Sequence, residues 1–306
     1  MGVLAPARTL VNTESSAPGV SVIMPFLDAG AFIEEAIESV LAQTLPAFEL
    51  LLIDDGSKDR SSGIARRYAA DVPGKVRYFE HAGHANRGKS ASRNLGVSEA
   101  RGRYLTFLDA DDVFLPHKLA HQSALLDCQP DAVMVYGATE YWRSWDKARL
   151  LRRRDKPGKL GVKAGQLYGP PDLLVAWLRA PGIVPCICGL LARTAVVRAT
   201  GSFDDRIHDL YEDQVFLVKM LMAGAVYVES GCAERYRQHA ASSSALAVAA
   251  GHYHPWRKNP ARLKYLRWLQ GFLADRGSMS GDLKEALDRA LRPYAESLFQ
   301  RLGWFS

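Results

Sequence analysis

Disulfide chemistry has little to work with in this sequence. Four cysteines (Cys128, Cys186, Cys188 and Cys232) are spread through 306 residues, too few and too scattered for a disulfide framework. That scarcity points to a reducing compartment. Cys186-Ile-Cys188 lies in an apolar run that alternates like a strand, which predicts both thiols on one face. With no second ligand pair at zinc spacing, it does not read as a zinc site. Long hydrophobic runs are missing as well. No window approaches the roughly 18 uninterrupted apolar residues of a membrane helix. Residues 1–19 lack the apolar core of a signal peptide, and their Pro, Ser and Thr read as a disordered leader. These absences together predict a cytoplasmic protein. Charge of one sign is in small excess, +6 over the chain. That suits acidic partners such as nucleotide sugars, phospholipid surfaces or nucleic acid without choosing among them.

What is present is ordinary globular material, with 48% hydrophobic and 24% charged residues. The length allows one large domain, or one domain and a tail. Its most telling stretch is Tyr104-Leu-Thr-Phe-Leu-Asp109-Ala-Asp111-Asp112. The apolar run reads as a buried strand of a parallel sheet. Three carboxylates in four positions then repel one another, so they call for a cation or a solvated tip. Acidic groups at the carboxyl end of such a strand, where open α/β sheets bind ligands, favour the cation. Hard oxygen donors suit Mg²⁺ or Mn²⁺, which in turn hold diphosphates. The plainer alternative is a solvated turn before a helix at Pro116, with Asp112 near its positive end.

Upstream, Val20–Met24 reads as a short buried strand ended by Pro25, and 31–42 as a helix. Phe48–Ile53 is a strand that stops at Asp54-Asp55-Gly56-Ser57, where Ser57 or Asp59 is placed to cap the next helix. Lys75–Phe79 and Ser90–Ala100 continue the strand–helix alternation, which implies right-handed crossovers and a parallel sheet. Two acidic strand ends therefore share one sheet edge. Between them lies His84-Ala-Asn86-Arg87-Gly88-Lys89-Ser90-Ala-Ser92-Arg93-Asn94. A basic, Gly-containing loop entering a helix offers N–H groups and cations to a phosphate. A helix start with a solvated basic face is the alternative.

Val20-Ser-Val-Ile-Met-Pro25, Gln43-Thr44, Asp54-Asp55-Gly56-Ser57, Asn86-x-Gly88, Arg93-Asn94-x-Gly96 and Asp109-Ala-Asp111-Asp112 together resemble the pattern of glycosyltransferase family 2. The resemblance covers roughly residues 20–128 and implies a GT-A fold, a Rossmann-like, mostly parallel α/β sheet flanked by helices. It assigns the nucleoside to Pro25, Phe26, Asp28, Asp54 and Asp55. It places the sugar diphosphate near Asn86, Gly88, Lys89, Arg93, Asp109 and Ala110, and a divalent metal on Asp109 and Asp111. Many relatives have Thr after the Pro and Asn two places later, whereas this chain has Phe26 and Asp28.

The second half carries further points of resemblance. Ala132–Tyr141 reads as a strand, and 142–169 is basic (Arg149, Arg152, Arg153, Arg154, Lys156, Lys159, Lys163). That segment reads as a solvated excursion, a loop over the donor, or an acceptor-phosphate clamp. Val184–Arg193 and Gly201-Ser-Phe203-Asp204 resemble family elements before the acceptor region. Tyr211-Glu212-Asp213-Gln214 opens a helix, where acids often only complement the dipole. The family pattern has Glu-Asp here and implies Asp213 as catalytic base, with Glu212 as substitute. Tyr236-Arg237-Gln238-His239-x-x-Ser242 resembles the family's ending, and implies that His239 completes the metal shell or contacts the diphosphate. Past 250 two amphipathic helices are predicted, the first basic and aromatic (Arg262, Lys264, Arg267, Trp268). They either pack on the domain or meet a lipid surface.

The expected organisation is a leader (1–19), a catalytic domain (20–250, its nucleotide-sugar part 20–128 and acceptor part 129–250) and a helical extension (251–306). The expected activity is metal-dependent, inverting transfer from a nucleotide sugar, a UDP-sugar, to a hydroxyl of a saccharide or lipid-linked acceptor, as in surface polysaccharide synthesis. Peripheral contact at the inner face of a membrane goes with the lipid-linked acceptor. One rival is a nucleotidyltransferase, but 26–31 has neither the Arg nor the Lys of its phosphate loop. The other is a basic nucleic-acid or membrane-surface binder. Three aspartates at the sheet edge argue against nucleic acid lying there.

Overall fold

A computed structural model describes residues 18–146, 154–180, 183–207, 210–254, 257–279 and 281–301, without side chains for 296–301. The expected leader up to residue 17, Arg149, Arg152 and Arg153 therefore lie outside the described residues. In the first half, β1 (Val20–Phe26), β2 (Phe48–Asp54), β3 (Val76–Glu80) and β4 (Tyr104–Phe107) alternate with α1 (Ile33–Leu41), α2 (Ser61–Asp71) and α3 (Lys89–Glu99). The second half adds β5 (Val113–Phe114), α4 (Lys118–Cys128), β6 (Ala132–Trp142), β7 (Lys156–Pro157), β8 (Gln166–Tyr168), α5 (Asp172–Arg179), β9 (Leu190–Arg193) and α6 (Thr194–Ala199). It closes with α7 (Glu212–Ala223), β10 (Ala225–Arg237), α8 (Ser243–Ala249), α9 (Pro260–Ala274) and α10 (Gly281–Arg301). The strands form one sheet in the order β3-β2-β1-β4-β9-β6-β10-β5, with β7 on β6 and β8 on β10.

β1 to β4 are parallel, as the alternation predicts, and β10 runs parallel to β6. Only β9 among the central strands is reversed, antiparallel to both β4 and β6. The carboxyl ends of β1, β2, β4, β6 and β10 consequently meet at one edge. Side chains alternate between two apolar layers, with Ile23, Leu51 and Phe107 in one and Val22, Leu50 and Leu52 in the other. Every residue of β1 and β2 is buried, which is why these strands read as unbroken apolar runs. Helix α3 lies close to β1 because Gly96 has no side chain; a Cβ there would come within 2.3 Å of Ile23.

Two local expectations are corrected. Pro25 does not end β1, which pairs with β2 through Phe26. The Phe26 carbonyl accepts from Asp55 N–H on the β2 side, and the Ile23 carbonyl from Leu108 N–H on the β4 side. Alternation then turns the missing N–H of Pro25 toward β4, past that strand's last residue, where no ladder bond is lost. Cys186-Ile-Cys188 is not a strand either. Ile187–Gly189 form a single 3₁₀ turn ahead of β9, and the turn rather than the pleat brings the thiols together.

Helices α9 and α10 pack on each other, and α10 packs on α5. Leu266, Leu269, Leu273, Leu283 and Leu287 belong to the same apolar cluster as Ile23 and Phe107. Of the two fates predicted for these helices, packing on the domain is the one their apolar faces meet. No helix among the described residues is long and apolar enough to cross a membrane.

Candidate active site

The first acidic end is tied up by neutral donors. Asp54 is fully buried; its Oδ1 accepts from Ser57 N–H at 2.8 Å, and its Oδ2 from the Ser62 and Tyr78 hydroxyls at 2.5 and 3.0 Å. Asp55 accepts from the N–H groups of Arg87 (2.7 Å) and Gly88 (3.0 Å), so β2 holds the loop that enters α3. Gly56 makes that approach possible. Its φ is +84°, and a Cβ would lie 2.8 Å from backbone atoms of His84 and Asn86. Asp28 joins the end of β1 to the same region, accepting from the N–H groups of Lys58 and Asp59 at 2.6 and 3.2 Å. Asp59 in turn accepts from Ser61 N–H at 2.8 Å, but the N-cap of α2 is Arg60 without a side-chain bond, so neither Ser57 nor Asp59 caps the helix as expected. Pro25 and Phe26 sit at the end of β1, the latter buried in the core. Asn86 accepts from Gly88 N–H at 3.1 Å and is otherwise exposed.

At the second acidic end a buried guanidinium holds one of the acids. Arg93, from the second turn of α3, is buried at 1% exposure and donates to Asp109 at 2.9 Å. Its other terminal nitrogen donates to Glu212 at 3.2 Å. Its Nε is buried with no partner among the described residues. Burial pushes the Asp109 carboxyl up, but Arg93 and then Lys89 outweigh it and hold it below the usual carboxylate range. Lys89, at the exposed start of α3, is raised chiefly by Asp109. Asp111 lies 2.9 Å from His239 Nε2, and Ala110 is buried between the two acids. Asp112 is completely buried and accepts from Arg237 N–H at 2.8 Å. Burial, then the charge of Asp111, raises it well above its ordinary value. Asp109, Asp111 and Asp112 bring carboxylate oxygens within 4.8 Å of one another, a hard-donor set suited to a divalent ion.

Glu212 and Asp213 reach this edge because aromatic packing aims α7. Phe203 stacks on Phe216 of α7 at 4.4 Å between centroids and meets Phe107 of β4 edge-on at 5.1 Å. Asn94 fixes Phe203 by both polar atoms of its amide, 3.0 and 3.1 Å from the Phe203 N–H and carbonyl. The adjacent Arg93 and Asn94 thus tie the acidic turn and the Phe203 turn to one helix. Tyr211, just before α7, sits at φ +70°, an uncommon conformation for a bulky residue that often marks a functional site. Its ring stacks on Tyr265 of α9 at 5.3 Å, so the C-terminal extension buttresses the start of α7. Asp213 keeps some solvent exposure, yet burial and then the neighbouring Glu212 push its carboxyl up to about 7. A carboxyl poised near neutrality suits a general base.

Acids from the end of β4 and from the start of α7 thus share one buried arginine, and comparison with known proteins gives the family. The model of the glycosyl transferase family 2 matches residues 21–176, just over half of the chain. The chain belongs to that family. It is a glycosyltransferase, and its curated relatives carry that name. An uncharacterized glycosyltransferase of Rickettsia typhi is 28% identical over 78% of this chain and 69% of its own length. One of Rickettsia felis is 37% identical over 47% of this chain but only 23% of its own length. The fold matches S. aureus TarS solved with UDP-GlcNAc (TM-score 0.65, 19% identity, 92% of this chain and 72% of that one). It also matches the mannosyltransferase PcManGT of Pyrobaculum calidifontis solved with GDP-Man and Mn²⁺ (TM-score 0.58, 17% identity, 95% and 77%).

Within this glycosyltransferase the structure adds a residue that sequence reasoning passed over. Arg237 is buried; its Nε donates to the Asp111 carbonyl and its Nη2 to Glu35, both at 2.6 Å. The rings of Trp142, Phe32 and Trp145 surround its guanidinium at 4.4, 5.0 and 5.1 Å. Main chain and side chain of one arginine therefore fix the backbone of the acidic turn. The signal was in view, because Arg237 stands two places before His239, but only the histidine drew a role.

Proposed function

We propose that this chain is a divalent-metal-dependent, inverting glycosyltransferase that moves a sugar from a UDP-sugar to a hydroxyl of a saccharide or lipid-linked acceptor, with 20–250 as its catalytic unit. The observation that carries this reading is Arg93, one buried guanidinium bridging Asp109 of the acidic turn and Glu212 beside Asp213. It brings donor-side and acceptor-side acids to one place. The unpartnered Nε of the same arginine suits an anionic ligand. The nucleotide sugars bound by TarS and PcManGT support the donor class, and the ion in PcManGT supports the metal.

In this reading Asp109 and Asp111 would hold Mn²⁺ or Mg²⁺ with His239 beside them, and the ion would supply charge neutralisation for the leaving diphosphate. Lys89 and Arg93 add positive charge on the same side. Asp54, Asp55 and Asp28 shape the nucleoside end by fixing the loops around it. Asp213 takes the acceptor proton while the hydroxyl oxygen attacks the anomeric carbon opposite the diphosphate, a single displacement that inverts it. Asp213→Asn should keep donor binding and lower transfer about 10²–10⁴-fold. Loss of donor affinity along with transfer would instead make Asp213 a ligand, and near-normal transfer would pass the role to Glu212.

The acceptor's surroundings follow from α9. Lys264 and Arg267 are exposed, while Leu266, Leu269 and Leu273 face the core. The exposed cations suit an anionic lipid surface, at about 1 kcal/mol each. Sedimentation of Lys264→Glu/Arg267→Glu with anionic vesicles should fall below that of the parent chain; equal sedimentation rules the contact out.

A further inference from the structure

The cysteine pair takes no part in the proposed transfer, yet it touches the acidic turn. Cys186 and Cys188 flank Ile187 in the 3₁₀ turn ahead of β9, with their sulfurs 3.0 Å apart. That is about 1 Å more than the roughly 2.05 Å of an S–S bond. With Asp112 the two sulfurs also lie within 4.8 Å of one another, so a bound metal ion is the rival that the test must separate. Access differs between the two thiols. Cys186 lines a small cleft with Tyr141, Lys159, Leu160 and Val184, whereas Cys188 is completely buried. Behind them, Cys188 Sγ lies 3.6 Å from Asp112 Oδ2, the carboxylate whose other oxygen receives the Arg237 N–H.

We propose that Cys186 and Cys188 form a reversible dithiol–disulfide site, oxidised by a low-molecular-weight disulfide that enters at Cys186. The Cys186 thiolate attacks one sulfur of the oxidant and releases the other half as a thiol. Cys188 then gives up its proton and attacks the Cys186 sulfur, expelling the second half. The protein is oxidised by two electrons, and the oxidant RSSR leaves as two RSH. Because Cys188 is completely buried, the oxidant meets Cys186 first and Cys188 closes the bond from within. Closure removes the thiol whose sulfur lies 3.6 Å from Asp112 Oδ2. The bond therefore changes the setting of a carboxylate inside the acidic turn, a consequence that rests on the metal reading above.

The test uses the full chain with Cys128→Ser and Cys232→Ser, so that only the pair can react. Incubation with oxidised glutathione should lower the intact mass by two hydrogens and remove both alkylatable thiols, and dithiothreitol should restore them. Cys188→Ser in the same background should instead stop at a glutathione adduct on Cys186. A stable adduct on the intact pair overturns the proposal. So does a pair that stays alkylatable and retains Zn²⁺ through gel filtration, which would be a metal site. In the same samples, Mn²⁺ should bind the oxidised form several-fold more weakly than the reduced form. Equal Mn²⁺ affinity breaks the link to Asp112. If the reduced protein binds no Mn²⁺ the metal reading fails, while the disulfide still stands or falls by its mass.

Discussion

Asp54-Asp55 closes β2 and Asp109-Ala-Asp111-Asp112 closes β4, with only β1 between the two strands in the sheet. From sequence they are the same feature, aspartates at the carboxyl end of a buried parallel strand. The protein holds them differently. The first pair is hydrogen-bonded by main-chain N–H groups and hydroxyls, those of Ser57, Arg87, Gly88, Ser62 and Tyr78, with His81 Nε2 farther off at 3.6 Å from Asp55. The second set is met by side chains that carry or can carry charge, Arg93 and His239, and by the backbone of Arg237. Neutral donors that come from the loops themselves fix loop shape. Charged partners from distant elements balance a charge that a bound cation can take over. In the proposed reading one acidic end therefore shapes loops, and the other holds the cation.

The contrast is broken most severely at Asp111. Asp111→Asn should lower transfer about 10²–10³-fold, the range for removing one preorganised electrostatic group, and weaken metal binding while leaving the thermal midpoint close to that of the parent. Unchanged metal affinity and turnover would defeat the assignment. At the other end Asp54→Ala should do the reverse. It strands two buried donors, the Ser57 N–H and the Ser62 hydroxyl, while Tyr78 keeps Glu80, and should cost about 1–3 kcal/mol of stability, read as a lower midpoint. Metal affinity of the folded fraction should stay near that of the parent, and a Mn²⁺ affinity that falls with the midpoint would show that the two ends are not separate.

Arg237 gives the next largest effect and sharpens the comparison, since it serves the second end without charge on the cleft. Arg237→Gln removes the donor to the Asp111 carbonyl and the ion pair with Glu35. Loss of a partner outside the metal shell typically weakens metal affinity 10–100-fold. Arg237→Lys should recover part of it, because a cation remains among the rings of Phe32, Trp142 and Trp145. If Lys and Gln behave alike and Mn²⁺ affinity is unmoved, Arg237 merely fills space.

How far the sequence led depends on the range of each interaction. Strands β1 to β4 and both acidic ends were legible because apolar runs and strand-end aspartates are local patterns. The roles of Asp54 and Asp55 as loop clamps were not, because their partners lie up to Gly88, on another connection. Pro25 misled because a missing N–H matters only if a neighbour faces it, and β4 stops short. Helix α5 was passed over although Leu173, Leu174, Trp177 and Leu178 line its buried side. Tyr211 could not be read at all, since its φ of +70° is imposed by the packing of Tyr265 and α7.

The smallest effect is a pair of pH slopes around Arg93, where two carboxyls move in opposite directions. Asp109 is held below its ordinary value, so its contribution is present above the ordinary carboxylate range and lost as pH falls through the lowered value. Asp213 is raised to about 7, so its contribution is full below the ordinary range and lost as pH rises through about 7. Relative to the parent, Asp213→Asn should therefore gain stability progressively from about pH 4 to pH 7 and then level off, because Asn never has to ionise in that crowded place. Asp109→Asn should lose stability as pH rises out of the acid range and then run parallel to the parent. Thermal melts of the three metal-free proteins across that window read both slopes, without reference to transfer. A gap of constant size for either variant would mean that its carboxyl titrates as it does in the unfolded chain.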